Sequence, residues 1–395
     1  MSEAAIKTSD PLMTTYSRFP VTIVKGKGSY VWDEEGQKYL DYTSGIATCN
    51  LGHVPDSVKE KMHEQLETLW HCSNLYHIPN QKELASLLVQ NSFADQVFFC
   101  NSGAEANEAA IKLARRYSQQ KQLPETNSIV TFTQSFHGRT MATLTATAQE
   151  KIQKGFGPLL PGFRYLPYND FKALEQIASE KTCAVLLELV QGEGGVIPAD
   201  EKWVKELYAL CKSEDILFMV DEIQTGMGRT GTLFVYEQYG IEPDVMTLAK
   251  GLGSGMPIGA VLAKASAAAA FEPGSHGSTF GGNPLATAAG IATMEAIQKN
   301  NIVQNSKNSG EYLKSQFTLL KNKYPEHIET VRGKGLLLGI VTKPNAIDIV
   351  NLARGKNVLI LTAGAHVVRI LPPLTTNKEE MDHFIEVLDQ VFHEL

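Results

Sequence analysis

Between residues 55 and 285 short apolar runs, "QVFFC", "SIVTF", "CAVLLEL", "ILFMV" and "DVMTL", alternate with segments of helical spacing such as "SGAEANEAAIKLARRYSQQ". That rhythm restricts the fold more than any other feature of the chain, because it belongs to a mostly parallel sheet covered by helices. Ahead of it, "VTIVKGKGSYVWDEEGQKYLDYTSG" alternates β-branched and aromatic residues with polar ones and turns at glycines, as a small antiparallel sheet at the surface does. Behind it, "GGNPLATAAGIATMEAIQKNN" reads as a long helix with Pro284 near its first turn. The chain then continues as "IETVRGKGLLLGIVT", a helix, "VLILT", "VVRILPPL" and a terminal amphipathic helix. The expected organisation is α/β. A large domain spans 55–285, and a smaller α+β domain takes 1–54 together with 286–395, which begins with the connecting helix. The Ala-rich "KASAAAAFEP" is expected to be a short exposed helix.

A chain of 395 residues is long enough for such a pair of domains at about 100 to 200 residues each. Its 43% hydrophobic and 20% charged content is that of a globular protein with a sizeable core. The net charge is −7 and Lys and Arg form no dense run, which points to small-molecule partners and away from nucleic acid. The start, "MSEAAIKTSD", lacks an apolar signal core, and no stretch reaches the roughly 18 apolar residues of a membrane span. No membrane association and a cytoplasmic location are therefore expected. Cys49, Cys72, Cys100, Cys183 and Cys211 form no C-x-x-C pair and read as reduced structural thiols, and no metal-ligand spacing accompanies them.

Three stretches carry chemistry. "QVFFCNSGAEANEAAIKLARR" turns from strand to helix through Ser102 and Gly103, and Ser102 with Glu105 has the spacing of a capping box. Free N–H groups at that start, beside a residue with no side chain, suit a phosphate; a plain helix cap is the alternative. "ILFMVDEIQTGMGRTG" ends a strand on Asp221 and Glu222, where ligands sit in open α/β sheets, and a carboxylate there requires a cationic partner. A metal-binding Asp-Glu pair competes with that reading. "MTLAKGLGSGMPIGA" puts Lys250 at the end of another strand, with an amine that merely reaches water along its methylenes as the alternative. A phosphate cradle, a strand-end carboxylate and a strand-end lysine, in that order, are what a pyridoxal phosphate site requires. The lysine condenses with the aldehyde, the carboxylate keeps the pyridine nitrogen protonated and the helix start holds the phosphate.

With those stretches, "FHGRT", "QGEGG" and "GSTFGGNPLA" complete a series that resembles the fold type I pyridoxal phosphate aminotransferases, in order and over nearly the whole chain. The subgroup is the one that contains acetylornithine, ornithine and 4-aminobutyrate aminotransferases, and the acetylornithine members are the most similar. The resemblance implies that Lys250 holds the cofactor and is the catalytic base, that Asp221 partners the pyridinium and that Gln224 adjoins the phenolic oxygen. Ser102, Gly103 and Ala104 would surround the phosphate, Phe136 would stack on the ring and Arg139 would take a substrate carboxylate. Ser278 would lie near substrate and Thr279 would reach the phosphate of the other subunit, which implies a homodimer with shared active sites.

Glu193 and Arg369 resemble a gate, in which the glutamate neutralises the arginine while an ω-amine donor reacts and releases it for 2-oxoglutarate. Ile46 stands where ornithine aminotransferases carry a tyrosine, and both Ile46 and Tyr16 are expected beside substrate. The reaction implied is transfer of the δ-amino group of N2-acetyl-L-ornithine to 2-oxoglutarate, giving N-acetyl-L-glutamate 5-semialdehyde and L-glutamate, a step of arginine biosynthesis. Ornithine or 4-aminobutyrate as donor, or a decarboxylase of the same fold, are the alternatives. Glu188-Leu189 replaces a frequent Glu-Pro and "GHVPD" a frequent "GHxHP", departures expected to touch loop geometry and leave the catalytic groups in place. A nucleotide-binding dehydrogenase is excluded, since the glycines of "GLGSGMPIG" depart from GxGxxG.

Overall fold

The structure, a computed structural model, describes residues 11–121, 127–179 and 181–395, so the reading of the first ten residues lies outside the described ones. Its large sheet has seven strands in the order Gln96–Cys100, Gly259–Ala263, Val245–Leu248, Leu217–Asp221, Thr182–Leu187, Ser128–Phe132 and Phe163–Leu166. The last five of these pair in parallel, and Gly259–Ala263 runs antiparallel to both of its neighbours. In Thr182–Leu187, Leu217–Asp221 and Val245–Leu248 every residue is buried. Both faces are covered, which is why these strands read as unbroken apolar runs. Val185, Leu187, Phe218 and Val220 join one core, with Trp203 and Leu207 of the helix Glu201–Ser213. Their alternates Ala184, Leu186, Leu217 and Met219 join the other core, where Ala106, Ala109, Ala110 and Leu113 of the helix Gly103–Gln120 pack.

Two strands of this sheet have no counterpart among the runs read from the sequence. Phe163–Leu166 is an edge strand that stays partly exposed. Gly259–Ala263 is fully buried but built of small residues, and a Cβ on Gly259 would meet the Ser102 carbonyl oxygen at 2.4 Å. The Ala-rich stretch forms a helix only over Ala265–Ala268, and only one face is exposed as expected, at Ala265, Ser266 and Ala269; on the other, Ala267 and Ala270 enter the core beside the alanines of Gly103–Gln120. An apolar small-residue face is a packing surface, and the neighbouring helix supplies the other half.

The strands Ile23–Lys27, Tyr30–Asp33 and Lys38–Asp41 form the antiparallel sheet expected near the N-terminus, and Val358–Leu359 adds to it in parallel beside Lys38–Asp41. A four-stranded antiparallel sheet follows the order Ile328–Lys334, Leu337–Thr342, Val367–Ile370 and Leu361–Thr362. Pro284 opens the helix Pro284–Lys299, and Asn283 caps it by accepting from the Ala286 N–H at 2.9 Å. The helix after it, Ile302–Lys323, is 22 residues long and has no counterpart in the sequence reading, because Ser306, Ser309 and Gly310 interrupt its buried apolar stripe. No helix among the described residues is long and apolar enough to cross a membrane, and all five cysteines are unpaired.

Candidate active site

Leu217–Asp221 and Val245–Leu248 lie side by side in parallel with Asp221 opposite Thr247, so their C-terminal ends open on one place. Asp221 and Lys250 meet there in a cavity of about 390 Å³ that Ser102, Gly103, Ala104, Phe136 and Gln224 also line. Asp221 is buried, its Oδ1 accepts from the Ile223 N–H at 3.0 Å and its Oδ2 from Asn107 Nδ2 at 2.7 Å. The His137 Nδ1 atom lies 2.8 Å from the same Oδ2. Asn107 is oriented in turn by donating to the His137 carbonyl at 2.8 Å and accepting from Thr247 Oγ1 at 2.8 Å. The neighbouring Glu222 points away and accepts from the N–H groups of Val235 and Tyr236 and from Thr225 Oγ1. This separates the two carboxylates, and among the described residues no metal-ligand cluster exists.

Lys250 follows its strand in a left-handed backbone conformation, φ +41°, which a lysine keeps only where the surroundings hold it. Its amine has neither a hydrogen-bond nor an ion-pair partner among the described residues. Burial, partly opposed by the nearby Glu193 carboxylate, holds it below the usual lysine range.

Ser102 caps the helix Gly103–Gln120 by accepting from the Glu105 N–H at 3.2 Å. The capping box is only half formed, because the Glu105 carboxylate takes the Asn101 N–H instead of that of Ser102. The N–H groups of Gly103 and Ala104 find no acceptor among the described residues and open on the cavity. Gly103 has a different reason than the one read from the sequence: a Cβ there would meet the Ile223 side chain at 2.8 Å.

Toward solvent, an outer cavity of about 550 Å³ shares Phe136, Arg139 and Glu193 with the inner one. Arg139 is exposed, its guanidinium carbon 5.6 Å from the centre of the Phe136 ring, and among the described residues no carboxylate pairs with it. Arg369, buried in the strand Val367–Ile370, pairs with Glu193 at 2.5 Å. Gln224 joins that pair, accepting from Arg369 at 3.3 Å and donating to Glu193 at 3.4 Å. Burial works against the Glu193 charge, but the Arg369 guanidinium outweighs it and keeps the carboxyl below its usual range.

Other expected residues do not converge on this cavity within one chain. Ser278 and Thr279 line a separate cavity of about 370 Å³, with Ser278 Oγ accepting from Asn101 Nδ2 at 3.1 Å. Ile46 is exposed in a left-handed conformation, although Thr48 of the same loop reaches the cavity. Tyr16 is exposed, with Arg18 its cationic neighbour at 5.9 Å. The structure adds two residues that sequence reading passed over, Asn107 and His137, and gives Glu188, noted in the sequence only as part of a departure in its loop, definite partners. Glu188 accepts from the Phe136 N–H at 2.9 Å and the Gly192 N–H at 3.3 Å, and burial pushes its carboxyl up to about 7. It therefore fixes both the Phe136 loop and the loop of Glu193. Proximity of His137 to Phe136 in "FHGRT" was the only available signal.

The Aminotransferase class-III family matches residues 13–392. The chain belongs to the class-III aminotransferases. It is 59% identical to the acetylornithine aminotransferase of Oceanobacillus iheyensis over 98% of this chain and 97% of that one. To that of Caldanaerobacter subterraneus it is 49% identical, over 97% and 98%. The fold superposes on the Toxoplasma gondii ornithine aminotransferase with a TM-score of 0.94 at 30% identity, covering 97% and 93% of the chains. For the N-acetylornithine aminotransferase of Stenotrophomonas maltophilia the TM-score is 0.85 at 37% identity, covering 96% and 97%. Class-III aminotransferases depend on pyridoxal 5′-phosphate, and the residues of this cavity fit that group. An unpartnered buried amine, two orphan N–H groups at a helix start and an anchored carboxylate match its aldehyde, phosphate and pyridine nitrogen.

Proposed function

We propose that this class-III aminotransferase moves the δ-amino group of N2-acetyl-L-ornithine to 2-oxoglutarate, forming N-acetyl-L-glutamate 5-semialdehyde and L-glutamate in arginine biosynthesis. The observation that carries this reading is the unequal state of two arginines: the buried Arg369 is neutralised by Glu193 of the cavity wall, while Arg139, in the wall itself, has no carboxylate partner among the described residues. A donor whose single carboxylate lies far from the reacting amine engages Arg139 alone. A dicarboxylate oxoacid engages both once Glu193 swings aside, with Gln224 holding either partner in place. The identity with acetylornithine aminotransferases, well above that with the ornithine enzymes, and the aliphatic Ile46 support the acylated donor.

Pyridoxal phosphate, when bound, supplies an aldehyde for amine exchange and an electron sink for the reacting carbon. The chain supplies the rest. Backbone N–H groups of Gly103 and Ala104, with Ser102, bind the phosphate, Phe136 forms a flat wall and Asp221 presents a fixed negative charge to the pyridine nitrogen. Lys250, its proton affinity reduced by burial, takes the proton from the amine-bearing carbon onto Nζ and gives it back on the far side of the reaction. Two chains form the working unit: Thr279 and Ser278 serve the partner's site, and the exposed Trp70, Leu75, Tyr76 and Phe280 supply an apolar surface for it to cover. The unpaired cysteines favour a reducing, cytoplasmic setting.

Purified enzyme assayed with N-acetylornithine, ornithine and 4-aminobutyrate, each with 2-oxoglutarate, tests the reading. N-Acetylornithine is expected to have the highest kcat/KM, and a preference for either other donor overturns the assignment.

A further inference from the structure

A cavity of about 290 Å³ shares no lining residue with the one at Lys250. The Thr230–Thr232 loop, the helix Ile302–Lys323 and the Gly333–Gly335 turn form its walls, and Lys307, Lys314 and Lys334 all line it. Glu311 is the only acid on the walls. Lys307 and Lys314, seven residues apart, share one helix face. Between them a Cβ on Gly310 would meet the Gly335 carbonyl oxygen at 2.2 Å, and one on Gly335 would meet the Thr230 carbonyl carbon at 2.4 Å. The three wall segments thus touch backbone to backbone, and the fold itself gathers the lysines.

Lys121, Lys205, Lys212 and Lys356 each have a carboxylate within 2.7 Å. None of the three pocket lysines forms an ion pair among the described residues. Lys314 donates to the Gly333 carbonyl at 3.1 Å, and Lys334 faces the Tyr239 ring at 5.0 Å. Burial, with the neighbouring Lys314 charge, holds the Lys334 amine below the ordinary lysine range. Like charges gathered in a half-buried cavity cost stability that a bound anion would restore.

We propose that this pocket binds a compact dianion of the phosphate class, with the three ammonium groups donating charge-assisted hydrogen bonds to its oxygens. The space equals roughly ten waters at about 30 Å³ each, enough for inorganic phosphate or a short phosphate monoester. Such an anion would fasten the helix and the Gly333–Gly335 turn to the Thr230–Thr232 loop.

The test uses the holoenzyme, whose cofactor phosphate already fills the helix start at Gly103, in a zwitterionic buffer at constant ionic strength. Calorimetric titration with inorganic phosphate, and in a second arm with glycerol 3-phosphate, is expected to show one saturable site per chain and a rise in Tm that sodium chloride does not produce. The tighter of the two arms identifies free phosphate or an ester as the source. Lys314→Ala and Lys334→Met should each weaken binding about tenfold or more. The exposed Lys307→Glu should do so without changing Tm or turnover in phosphate-free buffer. Absence of saturable binding to the holoenzyme, or variants that bind as tightly as the unmodified enzyme, overturns the proposal.

Discussion

At the inner end of the Lys250 cavity both oxygens of Asp221 are anchored by Ile223, Asn107 and His137, all from the same chain. At the mouth Arg139 has no carboxylate partner among the described residues, Glu193 and Arg369 share a pair that Gln224 also touches, and Ser278 and Thr279 face a different cavity. Under the proposed function, the difference separates two tasks. A charge that must face the cofactor ring unchanged through the whole cycle is best fixed by several buried hydrogen bonds, since nothing need move and reorganisation is avoided. A site that must take a donor and then a different acceptor needs a charge that can be exposed and hidden, and a single half-exposed ion pair provides it.

The largest expected effect comes from the inner end. Lys250→Ala should abolish turnover while the cofactor stays bound noncovalently, because no other lysine among the described residues lines the inner cavity. Borohydride reduction and peptide mapping of the unmodified enzyme check it, and a label on any other lysine removes Lys250 from its role. Asp221→Asn should lower kcat about 10²-fold or more, the usual size of an electrostatic contribution in catalysis, with cofactor retained by the phosphate cradle. Near-normal rates would erase the distinction between the fixed end and the mouth.

At the mouth the effects should be smaller and one-sided. Glu193→Ala leaves Arg369 permanently charged and should weaken the N-acetylornithine half-reaction relative to that of glutamate. Arg369→Ala should weaken glutamate and 2-oxoglutarate and spare N-acetylornithine. Loss of one charge-assisted pair corresponds to about 1.5 to 3 kcal/mol, roughly 10 to 150-fold on the affected half. Single-turnover absorbance measurements with each donor separate the halves, and equal slowing of both would make the pair merely structural. The smallest effect is expected for Ile46→Tyr, which adds a hydroxyl without disturbing any core residue. Ornithine should gain on N-acetylornithine by about fivefold to tenfold in kcat/KM, the worth of one neutral hydrogen bond, and no gain would remove Ile46 from donor selection.

The readable parts of the chain were those whose constraint is local. Leu217–Asp221 and Val245–Leu248 could be read because burial on both faces leaves an unbroken apolar run, and the sites at their ends followed because strand ends are where ligands sit. Gly259–Ala263 escaped because the glycine that opens it is required by the Ser102 carbonyl, which lies far away in sequence. Asn107 and His137 escaped for the same reason: their bonds to Asp221 cross 114 and 84 residues.

By itself, the sequence determined the alternation of strands and helices, the order of cradle, carboxylate and lysine, and through its motifs the family. Each of these depends on residue type at a fixed local spacing. Tertiary structure decided which of two adjacent carboxylates faces the site, sending Asp221 to His137 and Glu222 to the N–H groups of Val235 and Tyr236. It also pressed Ile223 against Gly103, joined Gln224 to the Glu193–Arg369 pair and brought Lys307, Lys314 and Lys334 around one cavity. The partners in those arrangements are remote along the chain, and only the packing of the folded sheet and its helices sets their distances.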